Sequence, residues 1–202
     1  IAMHMVFNRR VPVMKFFIKW NIRYVPFLGW ACVFIGFPFM KRFTKEQVAK
    51  NPELKGQDIA ATKKSCERFK DEPVTIVSFP EGTRFTKSKA ARQKTPYKHL
   101  LKPKAGGVAY TLTCMGDYLE SLINVTIIYP NNDKQYWRYV CGKIKQIDVI
   151  IDVLPIDPSL IGDYENDRAF RVHIQQWINT LWAEKDKQIE AAQLRYRGDN
   201  AN

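Results

Sequence analysis

Apolar positions along the chain follow two patterns. Continuous runs with many β-branched residues stand at 74–79, 122–129 and 144–154, the last closed by Pro155. Runs of that length between turn residues read as buried strands. Residues 11–22 are also β-rich and are turned by Pro26-Phe27-Leu28-Gly29, after which 32–36 reads as a short helix and 37–41 as a strand. The second pattern is helical: Phe170, Ile174, Trp177, Ile178 and Leu181 share one helical face, which predicts a helix over about 164–192. Trp177 and Trp182 on it read as core or interface aromatics.

Polar stretches fill the gaps. Residues 44–70 favour helix with a break at Asn51-Pro52, and Thr44 with Gln47 three positions on suits a capped start. Residues 104–115 read as a packed helix, and 83–103 as a long basic loop, a length that in a compact domain signals function or disorder. The tail after Arg195 is polar and expected to fray. Strands alternating with helices give an α/β class: a single domain with a mixed sheet flanked by helices. Residues 1–160 form its body, and 161–202 a C-terminal amphipathic helix with its tail.

Charge changes this picture. The 202 residues carry 32 Lys and Arg against 20 Asp and Glu, a net charge of +12, so anionic partners are expected. Among residues 1–42 the cations Arg9, Arg10, Lys15, Lys19, Arg23, Lys41 and Arg42 stand among bulky apolar side chains without a single acid. That mixture favours a membrane surface, where apolar groups enter the headgroup boundary and cations meet anionic lipid. A core strand and helix with a solvated basic rim would carry the same composition. Nothing resembles a nucleic-acid recognition motif, so nucleic acid is not expected as a partner. The uncharged run 24–40 is interrupted by Pro26, Gly29, Gly36 and Pro38 and is short for a membrane span. Cys32, Cys66, Cys114 and Cys141 are widely spaced and read as reduced, mostly buried thiols rather than zinc ligands.

The most informative stretch is Phe79-Pro80-Glu81-Gly82-Thr83-Arg84. An apolar strand runs into Pro and Gly, which force a turn, and the turn presents a carboxylate and a guanidinium three residues apart. Gly82 lets a ligand approach the backbone. Arg84 offers a planar cation suited to phosphate, while Glu81 can accept from hydroxyls. Together they suit a glycerol phosphate. A surface turn with a local ion pair is the plain alternative. The next run, Lys87, Lys89, Arg92, Lys94 and Lys98, can meet anionic lipid or an acidic acyl carrier, or be a solvated loop.

The hexapeptide resembles the third conserved block of the glycerophosphate and lysophosphatidate acyltransferases. Lys19, Ile22, Gly29 and Arg42 stand at the spacings of the second block, with Ile for the usual Leu. Leu101-Lys102-Pro103-Lys104, Gly107, Asn124-Val125-Thr126-Ile127 and Tyr129-Pro130 resemble the branch that includes eukaryotic long-chain lysophospholipid acyltransferases, with Asn124 where Pro is common. The resemblance covers about residues 1–160. It implies a glycerophosphate acyltransferase-like sheet and transfer of a fatty acyl group from a thioester, acyl-CoA or acyl carrier protein, to a lysophospholipid hydroxyl. No cofactor or metal is implied, and the expected place is the cytoplasmic face of a membrane, a bacterial inner membrane being suspected. Glu81, Gly82, Thr83 and Arg84 would hold the acceptor's glycerol phosphate, with Lys19 and Arg42 near phosphates or oxyanion.

The family's first block is His, four residues, then Asp, with His as general base and Asp orienting its ring. Five positions after His4, His99 and His173 stand Arg9, Lys104 and Ile178, so none fits. Because the segment 1–7 resembles the stretch directly C-terminal to that block in family members, the dyad is expected upstream of Ile1, with His4 on the helix after it. This chain alone is then expected to be inactive. A non-catalytic phospholipid-binding module at a membrane surface is the alternative.

Overall fold

The computed structural model describes residues 2–40, 50–51, 57–129, 136–144 and 146–199. Helices are α1 (Ala2–Val6), α2 (Leu28–Ile35), α3 (Gln57–Cys66), α4 (Lys87–Gln93), α5 (Gly106–Met115), α6 (Tyr136–Val140) and α7 (Arg168–Asp199); strands are β1 (Met14–Lys15), β2 (Ile18–Lys19), β3 (Phe39–Met40), β4 (Thr75–Ile76), β5 (Ser121–Ile128) and β6 (Asp148–Pro155). The chain is thus mixed helix and strand. Among the described residues the strands pair two by two: β1 with β4 and β2 with β3, both parallel, and β5 with β6, antiparallel.

The β-rich segment 11–22 breaks into two strands because it changes partner along its length. Met14 stands opposite Thr75, and Ile18 opposite Phe39. Between them Phe16 stacks on Phe37 and Phe79, each with centroids 6.1 Å apart, while Phe17 meets Tyr110 edge-on. After β2 the chain tightens into a 3-10 turn, Trp20–Tyr24, which takes over the last three positions of the β-rich segment 11–22. The strand expected over 74–79 pairs only at Thr75–Ile76, with Val77 N–H still reaching the Lys15 carbonyl at 2.9 Å. The helix start expected at Thr44 lies outside the described residues.

Two compact units are present. The first comprises Ile1–Phe79, Gly106–Leu119 and Pro158–Arg171. Its core joins Cys66, Phe69, Tyr110, Cys114 and Met115. The Thr62 and Tyr110 hydroxyls meet at 2.5 Å inside it, which satisfies both. Lys15 is buried on β1 and lays its ammonium 4.5 Å from the Phe69 ring centroid. Gly29 is required by a close approach: a Cβ there would sit 2.3 Å from the Arg23 carbonyl oxygen. Helix α2, which carries this glycine, is apolar all round yet exposed, with Phe27 at 80%, Trp30 at 63% and Phe34 at 88% of their surface open.

The second unit comprises Pro80–Ala105, Glu120–Asp157 and Val172–Asn202. The β5–β6 pair runs from Ser121 opposite Pro155 to Ile128 opposite Asp148. Within this unit α7 buries Ile174, Ile178, Trp182, Lys185, Ile189 and Ala192, a 3–4 repeat that makes one stripe. Ile128, Ile189 and Ala192 pack together with Leu100 and Ile150. The helix begins at Arg168 rather than Tyr164 because Asp163 and Asp167 take up local amide donors: Asp167 Oδ1 accepts from Ala169 N at 2.8 Å and Phe170 N at 3.1 Å, an N-cap. Its far end runs to Asp199, through the tail expected to fray. Among the described residues no helix is long and apolar enough to cross a membrane.

Candidate functional site

The turn Pro80-Glu81-Gly82-Thr83-Arg84 lies in the second unit and is held from several directions. The Pro80 carbonyl accepts from Lys104 N at 2.9 Å. Glu81, half-buried, accepts from Leu101 N through Oε2 at 3.1 Å. Leu101 is fully buried, so the turn is fastened to a core residue through a charge-assisted bond. Gly82 adopts φ +64° with nothing within 4 Å of a Cβ position, so the backbone turns left-handed into open space. Thr83 and Arg84 are exposed. Among the described residues no carboxylate neutralises the Arg84 guanidinium.

Residues 83–103 are not one long loop. Thr86 accepts from Lys89 N at 3.3 Å and starts α4, and Lys94, at φ +47°, ends it in a left-handed cap. Ala90 and Ala91 supply helix propensity that a count of charges hides. The helix returns Lys89 to the turn: its Nζ donates to Thr83 Oγ1 at 2.7 Å and to the Arg84 carbonyl at 3.2 Å.

The segment after α4 is fastened to α7. Asp186 accepts from the amides of Lys98 at 2.9 Å and His99 at 2.8 Å. Gln175 accepts from Ala105 N at 3.2 Å and donates to the Pro103 carbonyl at 3.1 Å. Glu190 meets Lys98 Nζ at 2.5 Å and also the His99 ring, and these two donors hold its carboxyl down at about 2. The His99 ring is therefore paired with Glu190, while its backbone amide is held by Asp186.

Lys185 could not be singled out from the sequence. It occupies the apolar stripe of α7, and its Nζ donates to the Val125 carbonyl at 2.6 Å and to Thr126 Oγ1 at 3.2 Å. Burial lowers its pKa to about 8, against the opposing pull of Asp152 and Glu81. The available signal was a lysine standing at core spacing between Trp182 and Ile189. Lys89 was visible only as one charge in a basic run.

Of the remaining expected residues, Lys19 stands in the first unit, on β2 opposite Met40. Arg42 lies outside the described residues. His4 stands on α1, as expected. Cys32, Cys66 and Cys114 are buried and Cys141 is exposed, none of the four in a disulfide. Among the described residues no cluster could hold a metal ion.

Residues 1–128 match the acyltransferase family, a span that contains the whole turn and every second-block position. The chain belongs to the acyltransferase family. Within it, similar proteins include lysocardiolipin acyltransferase 1 of Gallus gallus, 24% identical over 87% of this chain and 45% of that protein. The 2-acyl-1-lysophosphatidylinositol acyltransferase of Saccharomyces cerevisiae is 25% identical over 86% of this chain and 52% of that protein. The 1-acyl-sn-glycerol-3-phosphate acyltransferase delta of Mus musculus is 26% identical over 85% and 43%. The chain thus spans about half the length of these relatives. No solved structure matches it at a significant level.

Proposed function

We propose that this chain is the acceptor-binding body of an enzyme that transfers a fatty acyl group from an acyl thioester to the free hydroxyl of lysophosphatidate or a related lysophospholipid. The observation that carries this reading is the Phe79–Arg84 turn in an acyltransferase-family chain: an exposed Arg84, paired with no carboxylate among the described residues, beside the open backbone of Gly82, on a support fastened to the core by Glu81. A guanidinium so placed donates two parallel hydrogen bonds to a phosphate. The names of the relatives, which cover three lysophospholipid acceptors, support the substrate class.

In this reading the base is a His-x4-Asp pair upstream of Ile1. The histidine takes the proton of the acceptor hydroxyl, and the oxygen attacks the thioester carbonyl. The tetrahedral oxyanion is stabilised by a backbone amide or a cation, with Lys19 and Arg42 as candidates. Collapse forms the ester, breaks the carbon–sulfur bond and returns the proton to the leaving thiolate. Glu81, Gly82, Thr83 and Arg84 hold the glycerol phosphate and so orient the acceptor. The donor is acyl-CoA or acyl carrier protein, and no metal is required. The lipid surface is met by the exposed aromatics Phe27, Trp30 and Phe34, which share with Arg9, Arg10 and Arg23 a stretch of sequence without acids.

The test is phosphatidate formation from lysophosphatidate and acyl-CoA, comparing the 202-residue chain with an N-terminally extended protein. Activity confined to the extended protein and lost with Arg84→Ala is expected. Turnover by the 202-residue chain itself would overturn the upstream dyad. Lysophosphatidate binding with turnover by neither protein would favour a non-catalytic phospholipid-binding module.

A further inference from the structure

Three relatives with three different acceptor headgroups leave open which phosphate chemistry this site prefers. The geometry around Lys89 bears on that choice. A phosphate monoester such as lysophosphatidate carries between one and two negative charges at neutral pH, its second pKa lying near 6. A phosphodiester headgroup presents one charge at its phosphate. Arg84 alone balances one charge.

Lys89 supplies the second. Its ammonium is tied to the Arg84 carbonyl at 3.2 Å and to the Thr83 hydroxyl at 2.7 Å. An ammonium has three N–H donors, so two bonds to the turn leave one for a ligand. Because Lys89 grips the backbone of Arg84 itself, both cations rise from one short piece of chain. Among the described residues no carboxylate pairs with either of them. Residues 83–104 contain no acid at all. Glu81, the nearest acid in sequence, directs Oε2 to Leu101 N. Lys89 is also partly buried, while Lys87 and Arg92 on the same helix are exposed, which separates it from the solvated charges around it.

We infer that Lys89 is a second phosphate-binding cation that, with Arg84, makes this site selective for a phosphate-monoester acceptor over a phosphodiester one. The inference rests on the acceptor-site reading above and adds the acceptor class and the residue that sets it. A charged hydrogen bond contributes enough to separate the two classes by about tenfold when one cation is removed.

Two arms test it. In the N-terminally extended enzyme, kcat/KM is measured for lysophosphatidate and for lysophosphatidylglycerol. With Lys89→Met the lysophosphatidate value is expected to fall about tenfold while the diester value stays within about twofold. Lys89→Arg should keep the preference. Equal loss on both acceptors would reduce Lys89 to a strut of the turn and overturn the inference, as would no loss on either. In the second arm the 202-residue chain is titrated with glycerol 3-phosphate and with glycerophosphoglycerol, followed by amide chemical shifts of residues 81–89. Tighter binding of the monoester, lost with Lys89→Met, supports the inference even where the enzyme proves inactive. Equal binding of the two overturns it even where the enzyme is active. Loss of turnover without change in this binding pattern would count against the acyl-transfer reading alone.

Discussion

Residues 80–105 and residues 20–36 are both short-element segments without a long strand, yet they solve the same problem in opposite ways. The first is mostly polar and is fastened at each end: Pro80 to Lys104, Glu81 to Leu101, and residues 97–105 to Asp186, Gln175 and Glu190 of α7. Its order comes from hydrogen bonds to side chains far away in sequence. The second is mostly apolar, is organised by its own 3-10 turn and helix, and leaves Phe27, Trp30 and Phe34 open. Stability is therefore concentrated under the polar segment, while the apolar one is free to meet another phase.

Substitutions can break that contrast, and the largest effect is expected at Leu101. Leu101→Ala removes a fully buried anchor beneath the turn and should cost about 2–5 kcal/mol in urea unfolding. A loss of only a few tenths would mean that the polar bonds alone hold the segment.

Next comes pH. Lys185 titrates at about 8 in the folded protein against 10.5 ordinarily, so between those values the unfolded chain binds more protons and stability rises with pH. The gain should be on the order of 2 kcal/mol from pH 8 to 10 and should vanish in Lys185→Met. The raised Tyr97 hydroxyl works against it only above pH 10. A stability curve that is flat or falling over this range would contradict the burial of the ammonium.

Asp186→Ala strips two amides of their acceptor at a partly solvated site, for a cost of about 1 kcal/mol and faster hydrogen exchange at Lys98 and His99. Unchanged exchange at those amides would show that Asp186 does not hold the segment. Smallest in stability is Phe34→Ser, expected within about 0.5 kcal/mol because the ring is exposed. The same change should weaken sedimentation with anionic phosphatidylglycerol vesicles. Undiminished vesicle binding would remove this helix from the lipid contact.

The same contrast explains what could be read from the sequence. Helix α7 and the β5–β6 pair were legible because burial imposes a period that the residues display. The turn was legible because Pro80, Gly82 and Arg84 have local reasons to be there. Helix α4 was not: it is a single short helix with three cations among seven residues, and its caps, Thr86 and Lys94, are weak signals. Nor could composition single out which cation of that run bends back to the turn, since Lys89 finds its partners only after α4 has formed. Lys185 bonds to Val125 and Thr126 across about 60 residues, a pairing that no local spacing announces. The division of the strands into pairs had a similar origin, because partner changes between β1 and β2 are set by β3 and β4 rather than by residues 11–22.

The vacancy at Gly29 has a mechanical meaning. With the Arg23 carbonyl pressed into the space a side chain would fill, α2 and the preceding turn are clasped backbone to backbone, without a side-chain cushion between them. Phe27, Trp30 and Phe34 then stand on and beside a helix set directly against the 3-10 turn that begins at Trp20, the residue after Lys19. Any side chain at position 29 would push α2 off that turn and carry the exposed rings with it.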